Sequence, residues 1–348
     1  MHMADALLSP AVGGTMWAVS AGTIAYCSSK VRADLDDSKV PLMGVLGAFI
    51  FAAQMINFSI PGTGSSGHLG GGLLLSILLG PEAAFITIAS VLFVQALFFA
   101  DGGLLSLGCN IFNLGFFPAF VAYPFFYRKI ANGASGRGRM TFAAILAAVA
   151  GLQMGAFGVV LETVSSGISA LPFSTFVILM LPIHLAIGVV EGVVTAAVVS
   201  FVAQARPEIL QGSFKVPSTP AWKIRNVVIA FSFAALVCGG FLSWFASKKP
   251  DGLEWAIARV TGKGELNGPS QGVHRLLSSW QESIAFLPDY SFRKPAEAKS
   301  EATTPGGKKK IDVGNNLETS ISGIVGGIIT LAIVFVSGLL LRRRKQAG

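Results

Sequence analysis

Charge is what this 348-residue chain has least of: 13% of its residues are Asp, Glu, Lys or Arg, against 52% hydrophobic. A mean hydropathy of +0.65 excludes an ordinary soluble domain, and apolar runs near the ~20 residues of a bilayer span indicate an all-α polytopic membrane protein. Cysteine is scarce as well. Cys27, Cys109 and Cys238 lie within or at the ends of apolar runs, show no metal-ligand spacing, and read as small core residues rather than disulfide partners. No Gly-Lys-Ser/Thr follows the glycines at 70–72, so there is no phosphate loop, and ATP hydrolysis by this chain itself is excluded. Nothing before Leu7 resembles the charged start of a signal peptide, so no cleavage is expected, and the bulk of His2 is expected to leave Met1 in place.

Nine spans can be drawn, at about 11–28, 40–57, 69–80, 82–100, 109–127, 141–163, 174–203, 227–246 and 321–341. The third is short, but keeping it gathers Lys30, Arg32, Lys39, Arg128, Lys129, Arg137, Arg139, Arg206, Lys215, Lys223, Arg225 and the run Arg342 to Lys345 on one face. That face is then cytoplasmic by the positive-inside rule. The amino terminus, the loop 58–68, the turn near Asp101 and the loop near Ser165 share the outer face, and the carboxyl terminus is cytoplasmic. Basic loops of this kind account for most of the net charge of +8 without any nucleic-acid partner, and the run Lys308 to Lys310 reads as a solvated linker.

The polar stretch 206–226, with Pro207, Pro217 and Pro220, separates a seven-span bundle (1–205) from a two-span unit (227–348). The last two spans flank an outer segment, 247–320. Helical periodicity is present at Leu253 to Val260 and Val273 to Ile284, whereas Arg293 to Lys310 has the Pro, Lys, Glu and Thr content of a disordered tether.

Four histidines occur, and His2 and His68 both fall on the outer face. A histidine directly after a free amino terminus is a chelator: the Met1 amine, the His2 amide nitrogen and the His2 ring can close two small rings on one cation. An all-nitrogen, nearly planar donor set suits Ni(II), Cu(II) or Co(II) better than Zn(II), Mg(II) or Ca(II). His68, after the glycine-rich loop 59–67, can complete a four-nitrogen plane; the simpler reading is that the glycines only turn the chain and His68 caps a helix.

His184 and Glu191, seven residues apart in the last span of the bundle, lie on nearly one helical face and read as a buried pair that anchors the bundle. Gln54, Gln95, Asn110, Asn113 and Gln153 read as interhelical hydrogen-bonding groups. Asn57, Ser66 and Glu162 stand at outer ends, within range of a metal-bound loop. A competing reading takes Gly64-Ser65-Ser66-Gly67 as the Gly-Xaa-Ser-Gly nucleophile pattern of a rhomboid-type intramembrane serine protease, with His184 as base.

Met1-His2-Met3-Ala4-Asp5, Ser66-Gly67-His68 with its glycine tail, and His184 through Glu191-Gly192 resemble the nickel and cobalt substrate-capture components of energy-coupling factor transporters, over about residues 1–205. Pro250-Asp251-Gly252-Leu253-Glu254 resembles the opening of the outer segment of their small auxiliary membrane subunit. The resemblance implies a fused capture and auxiliary protein of a bacterial inner membrane, with nickel(II), or alternatively cobalt(II), as its cargo. It implies a metal held by Met1, His2 and His68. It also implies a transmembrane coupling subunit and two cytoplasmic ATPase subunits as partners, and no catalytic cofactor. Ala6 departs from the glycine common at that position in the family.

Only metal capture gives the first nitrogen of the chain a role. An uncleaved N-terminal tag turns the Met1 amine into a peptide nitrogen and is expected to abolish Ni(II) or Co(II) retention, while a C-terminal tag leaves it intact. Metal analysis of the two purified proteins decides this, and equal metal content in both would count against the chelate.

Overall fold

The structure, a computed structural model, describes residues 2–34, 39–132, 136–169, 171–210, 222–263, 266, 268–269, 271–292 and 313–346. The expected tether 293–310, Lys215, and Met1 itself lie outside the described residues. Seven helices precede the linker: α1 (Pro10–Asp34), α2 (Lys39–Gln54), α3 (Gly72–Leu79), α4 (Pro81–Phe99), α5 (Leu107–Ala131), α6 (Arg137–Ser166) and α7 (Phe173–Ala205). After it come α8 (Ile224–Gly240), α9 (Gly252–Thr261), α10 (Gly272–Ile284) and α11 (Val313–Gln346). The one sheet among the described residues is a ribbon of β1 (Phe58–Ser59) against β2 (Ser66–Gly67), antiparallel, with Phe58 opposite Gly67.

The chain is an all-α polytopic membrane protein, but its crossings are less uniform than nine full spans. Among the described residues, five helices are long and apolar enough to cross a bilayer: α4, α5, α6, α7 and α11. α2 and α8, at 16 and 17 residues, fall short of ~20. α3 has 8 residues, about 12 Å at 1.5 Å per residue. It cannot cross alone. The non-helical residues 68–71 supply the rest of that passage, and the chain reverses at Gly80, whose φ of 84° admits only a residue without a Cβ at little cost.

Small residues bring the helices together. A Cβ on Gly188 or Gly192 of α7 would lie 2.8 Å from Val149 Cα and 2.4 Å from Ile145 Cα of α6, so the two helix backbones touch. α11 closes on α2 through a side chain: a Cβ at Gly326 would clash with the edge of the Phe51 ring, 2.0 Å from Cζ. Helix α2, buried almost throughout, packs against α4, α8 and α11, which is why it is apolar on every side. The C-terminal unit therefore covers the bundle instead of standing beside it. In α5 the backbone from Phe112 to Tyr127 takes the wider π register, and it contains Pro118 and Pro124, neither of which has an N–H to offer.

Helix order places Arg32, Lys39, Arg128, Lys129, Arg137, Arg139, Arg206, Lys223 and Arg225 at helix ends away from His2. The amino-terminal segment, the β1–β2 ribbon, the turn 100–103 and α9 and α10 gather at the other end, called the site end below.

Gly192→Ala is expected to lower the melting temperature of the detergent-solubilised protein, since overpacking costs about 1–3 kcal/mol. Gly14→Ala in α1, where a Cβ meets nothing within 4 Å, is expected to leave it unchanged; equal effects would show that the α6–α7 approach is not tight.

Candidate metal centre

His2 reaches the site because its neighbours are fastened. The Met3 N–H donates to Asn110 Oδ1 at 2.8 Å, the Gly103 N–H donates to the Met3 carbonyl at 3.0 Å, and Met3 is fully buried. His68 follows β2, which is fixed in turn by the C-terminal unit: the Ser66 N–H donates to the Pro250 carbonyl at 2.8 Å, and its hydroxyl to the Lys249 carbonyl at 2.7 Å. The two imidazoles stack with centroids 5.0 Å apart and planes 11° from parallel. His2 Nδ1 lies 3.3 Å from Asp101 Oδ1. Asp101 also accepts the Tyr290 hydroxyl at 2.5 Å through Oδ2.

These groups line a cavity of about 400 Å³ whose walls include His2, Asn57, His68, Asp101, Asp251 and Tyr290. It is a shared chamber, with one wall from the bundle and the other from the segment after α8. Burial pushes the His68 ring down to about 3 and lowers His2 as well. Burial thus disfavours the charged form of both rings, and the neutral imidazole is the form that binds metal. Burial opposes ionisation of Asp101, yet its carboxyl sits below the usual carboxylate range, because His2 beside it and the Tyr290 hydroxyl both favour the charged form. His68 Nδ1 pairs with the Leu69 carbonyl at 3.0 Å, so Nε2 carries its lone pair. His2 Nε2 is buried and has no hydrogen-bond partner among the described residues. No group of three or more His, Cys, Asp or Glu side chains among the described residues is arranged to hold an ion.

The other sequence candidates divide. Asn57 lines the chamber, and its carbonyl accepts from the Ser247 N–H at 2.7 Å. His184 stands just beneath it, with Gly252 against its ring: a Cβ there would lie 3.2 Å from Cε1. Ser66 faces the backbone of Lys249 and Pro250. Glu162 is engaged elsewhere, accepting from Asn113 Nδ2 at 2.7 Å between α5 and α6.

His184 and Glu191 are not the pair their spacing indicated. His184 Nδ1 bonds the Met180 carbonyl of its own helix at 2.8 Å. Glu191 accepts the N–H groups of Gly70 and Gly71 at 2.7 and 3.1 Å. The reason is backbone demand: residues 69–71 are non-helical inside the bundle, and their donors take the nearest carboxylate. Of the amides expected to bond between helices, Gln54, Gln95, Asn113 and Gln153 do so, whereas Asn110 holds Met3 of the amino-terminal segment. Gln54 Nε2 donates to the Gly70 carbonyl at 2.8 Å, Gln95 Nε2 to Gln54 Oε1 at 2.9 Å, and Gln153 Nε2 to the Leu181 carbonyl at 2.7 Å. A buried polar chain thus runs from Glu191 through Gly70 and Gln54 to Gln95. The proposed protease dyad is not assembled, because the Ser66 hydroxyl donates to backbone carbonyls and His184 Nδ1 is taken.

Asp101 and Tyr290 were not singled out as site residues from the sequence. Asp101 carried a signal, being the acidic member of the connection Ala100-Asp101-Gly102-Gly103. Tyr290 carried none.

The profile of the cobalt uptake substrate-specific transmembrane region matches residues 2–209. The chain belongs to this family. A second profile, the PDGLE domain, matches residues 225–343. A putative fused nickel transport protein NikMN of Archaeoglobus fulgidus is 36% identical over 341 residues, covering 96% of this chain and 97% of the relative. The fused nickel transport protein NikMN of Rhodobacter capsulatus is 31% identical over 319 residues, covering 84% and 88%. A crystal structure of a truncated transition metal transporter, 31% identical, superposes with a TM-score of 0.52 over 58% of this chain and 98% of its own. This multi-pass membrane protein is thus of the metal transport type.

Replacing Glu191 by Ala strands the two glycine donors, each costing about 1–3 kcal/mol. Thermal unfolding is expected to show a larger loss for Glu191→Ala than for His184→Ala, with Glu191→Gln between wild type and Glu191→Ala. A larger loss for His184→Ala would restore the paired reading.

Proposed function

We propose that this chain captures nickel(II) from outside the cell membrane for an energy-coupling factor transporter, with Met1, His2 and His68 as ligands. The carrying observation is the stacked pair His2 and His68, brought from opposite ends of the first 68 residues into one buried chamber beside a carboxylate. Metal–nitrogen bonds are about 2 Å long, so two imidazoles with centroids 5.0 Å apart can share one ion with little movement. In the structure His2 Nδ1 faces Asp101. Chelation through that nitrogen replaces the ring proton by the cation and leaves the Asp101 charge next to it, which favours binding further.

Nickel is favoured by the fused relatives, which carry the same two-unit arrangement. Cobalt(II) is the alternative, since the cobalt transport protein CbiM of Sorangium cellulosum is 30% identical over 217 residues. On this reading the basic helix ends face the cytoplasm and the site end faces outward. The boundary between capture and auxiliary units falls in the linker 206–226. A coupling subunit and two ATPase subunits, encoded separately, drive reorientation and release, while His184, Glu191, Asn57 and Ser66 support the fold around the site and Glu162 ties α6 to α5.

The test is titration of Ni(II) into the purified protein with a free amino terminus. His68→Ala is expected to remove one of four ligands and lower affinity by at least about 100-fold, more than the 10- to 100-fold typical of residues that only support a ligand, with the helical content unchanged. Unchanged stoichiometry and affinity would sink the proposed plane.

A further inference from the structure

The C-terminal unit does more than roof the chamber. Asp289 and Tyr290 stand consecutively in the left-handed region, with φ of 51° and 58°, a conformation non-glycine residues hold only where their surroundings enforce it. The enforcing contacts are specific. The Tyr290 ring stacks on Phe99, the last residue of α4, with centroids 5.0 Å apart. Its N–H donates to the Leu287 carbonyl at 3.1 Å, and its carbonyl accepts the Ser322 hydroxyl of α11 at 2.9 Å. The strained turn so formed delivers one polar atom, the phenol oxygen, to Asp101 Oδ2 at 2.5 Å.

The turn carrying Asp101 is held from the same side. Gln281 of α10 donates to the carbonyls of Ala96 and Gly102 at 2.9 and 2.7 Å, and the Leu287 N–H donates to the Phe98 carbonyl at 3.3 Å. Gly102 lies against His2, where a Cβ would be 3.3 Å from the histidine's own Cβ. Asp101 therefore has one oxygen directed at Tyr290 and the other at His2 Nδ1. With one oxygen fixed by a phenol, the carboxylate keeps its charge beside that nitrogen, where it favours a cation bound there.

We propose that Tyr290 is a positioning residue for the metal site, holding the Asp101 carboxylate beside the cation that His2 Nδ1 takes up, so that the C-terminal unit tunes the affinity of a site whose ligands all lie in the bundle. The proposal rests on His2 and His68 being ligands.

Tyr290→Phe keeps the ring that stacks on Phe99 and removes only the hydroxyl. With the full chain, free at its amino terminus, and Ni(II) as the probe, Tyr290→Phe is expected to weaken binding about 10-fold or more and to shift the visible absorption of bound Ni(II). Gly338→Ala, which crowds Val40 at the end of α11 away from the site, is expected to change neither. In an Asp101→Asn background the same substitution is expected to add nothing, because its effect passes through that carboxylate. Affinity and spectrum equal to wild type in Tyr290→Phe, or additive losses in the double variant, would overturn the positioning role while a loss in His68→Ala left the ligand reading standing. A His68→Ala protein that still binds at wild-type affinity would overturn both.

Discussion

Glu191 answers the constraint on which the rest of the architecture depends. Inside a bilayer a backbone donor without a partner has no water to turn to, so irregular chain is tolerated only where protein satisfies it. Residues 69–71 are such chain, and the Glu191 carboxylate takes the N–H groups of Gly70 and Gly71 while Gln54 supplies a donor to the Gly70 carbonyl. With those groups satisfied, the passage from His68 to Gly80 can be part extended and part helix. That leaves room at the site end for the chamber. A full helix there would have carried His68 around a helical face instead of leaving it at the end of a ribbon against His2.

The chamber is built by contacts of high sequence separation. Asn110 of α5 holds Met3, the backbone of Lys249 and Pro250 holds Ser66, and Tyr290 holds Asp101. Each fastens a short polar segment to a helix end or to the opposing unit, which a site on otherwise mobile loops requires. The roof has a further consequence for access. Asp251 and Gly252 start α9 directly over His68 and His184, with the Asp251 side chain accepting the Glu254 N–H and Glu254 returning a bond to the Asp251 N–H. This doubly bonded helix start fixes the backbone that closes the chamber. The chamber around His2 and His68 is thereby closed on one side by the C-terminal unit.

Much of this was legible beforehand, for identifiable reasons. Hydropathy located the helices, since burial in lipid imposes apolar composition over a whole segment, and all but Asn110 of the amides singled out in those helices bond between helices as expected of polar groups in hydrocarbon. His2 and His68 were legible as a pair through topology alone: charge placed both at one end, and the structure stacks them. The reading failed where a local pattern was given a long-range meaning. Seven-residue spacing put His184 and Glu191 on one face, but spacing does not say which face of which neighbour a side chain meets. Likewise 69–80 was apolar enough for a span, while its glycines leave only 8 residues of helix.

By itself the order of residues determined the membrane class, the positions of most helices and the concentration of basic residues at one end, and it brought His2 and His68 forward as a pair. The first three follow from composition and period within a window of chain. Tertiary structure alone decided that Glu191 serves glycine backbone, that Asp101 faces His2, and that Tyr290, 189 residues further along, holds Asp101. Such contacts join segments with no shared period, and they form only once α2, α4 and α11 have packed and brought the ends of those segments to one place.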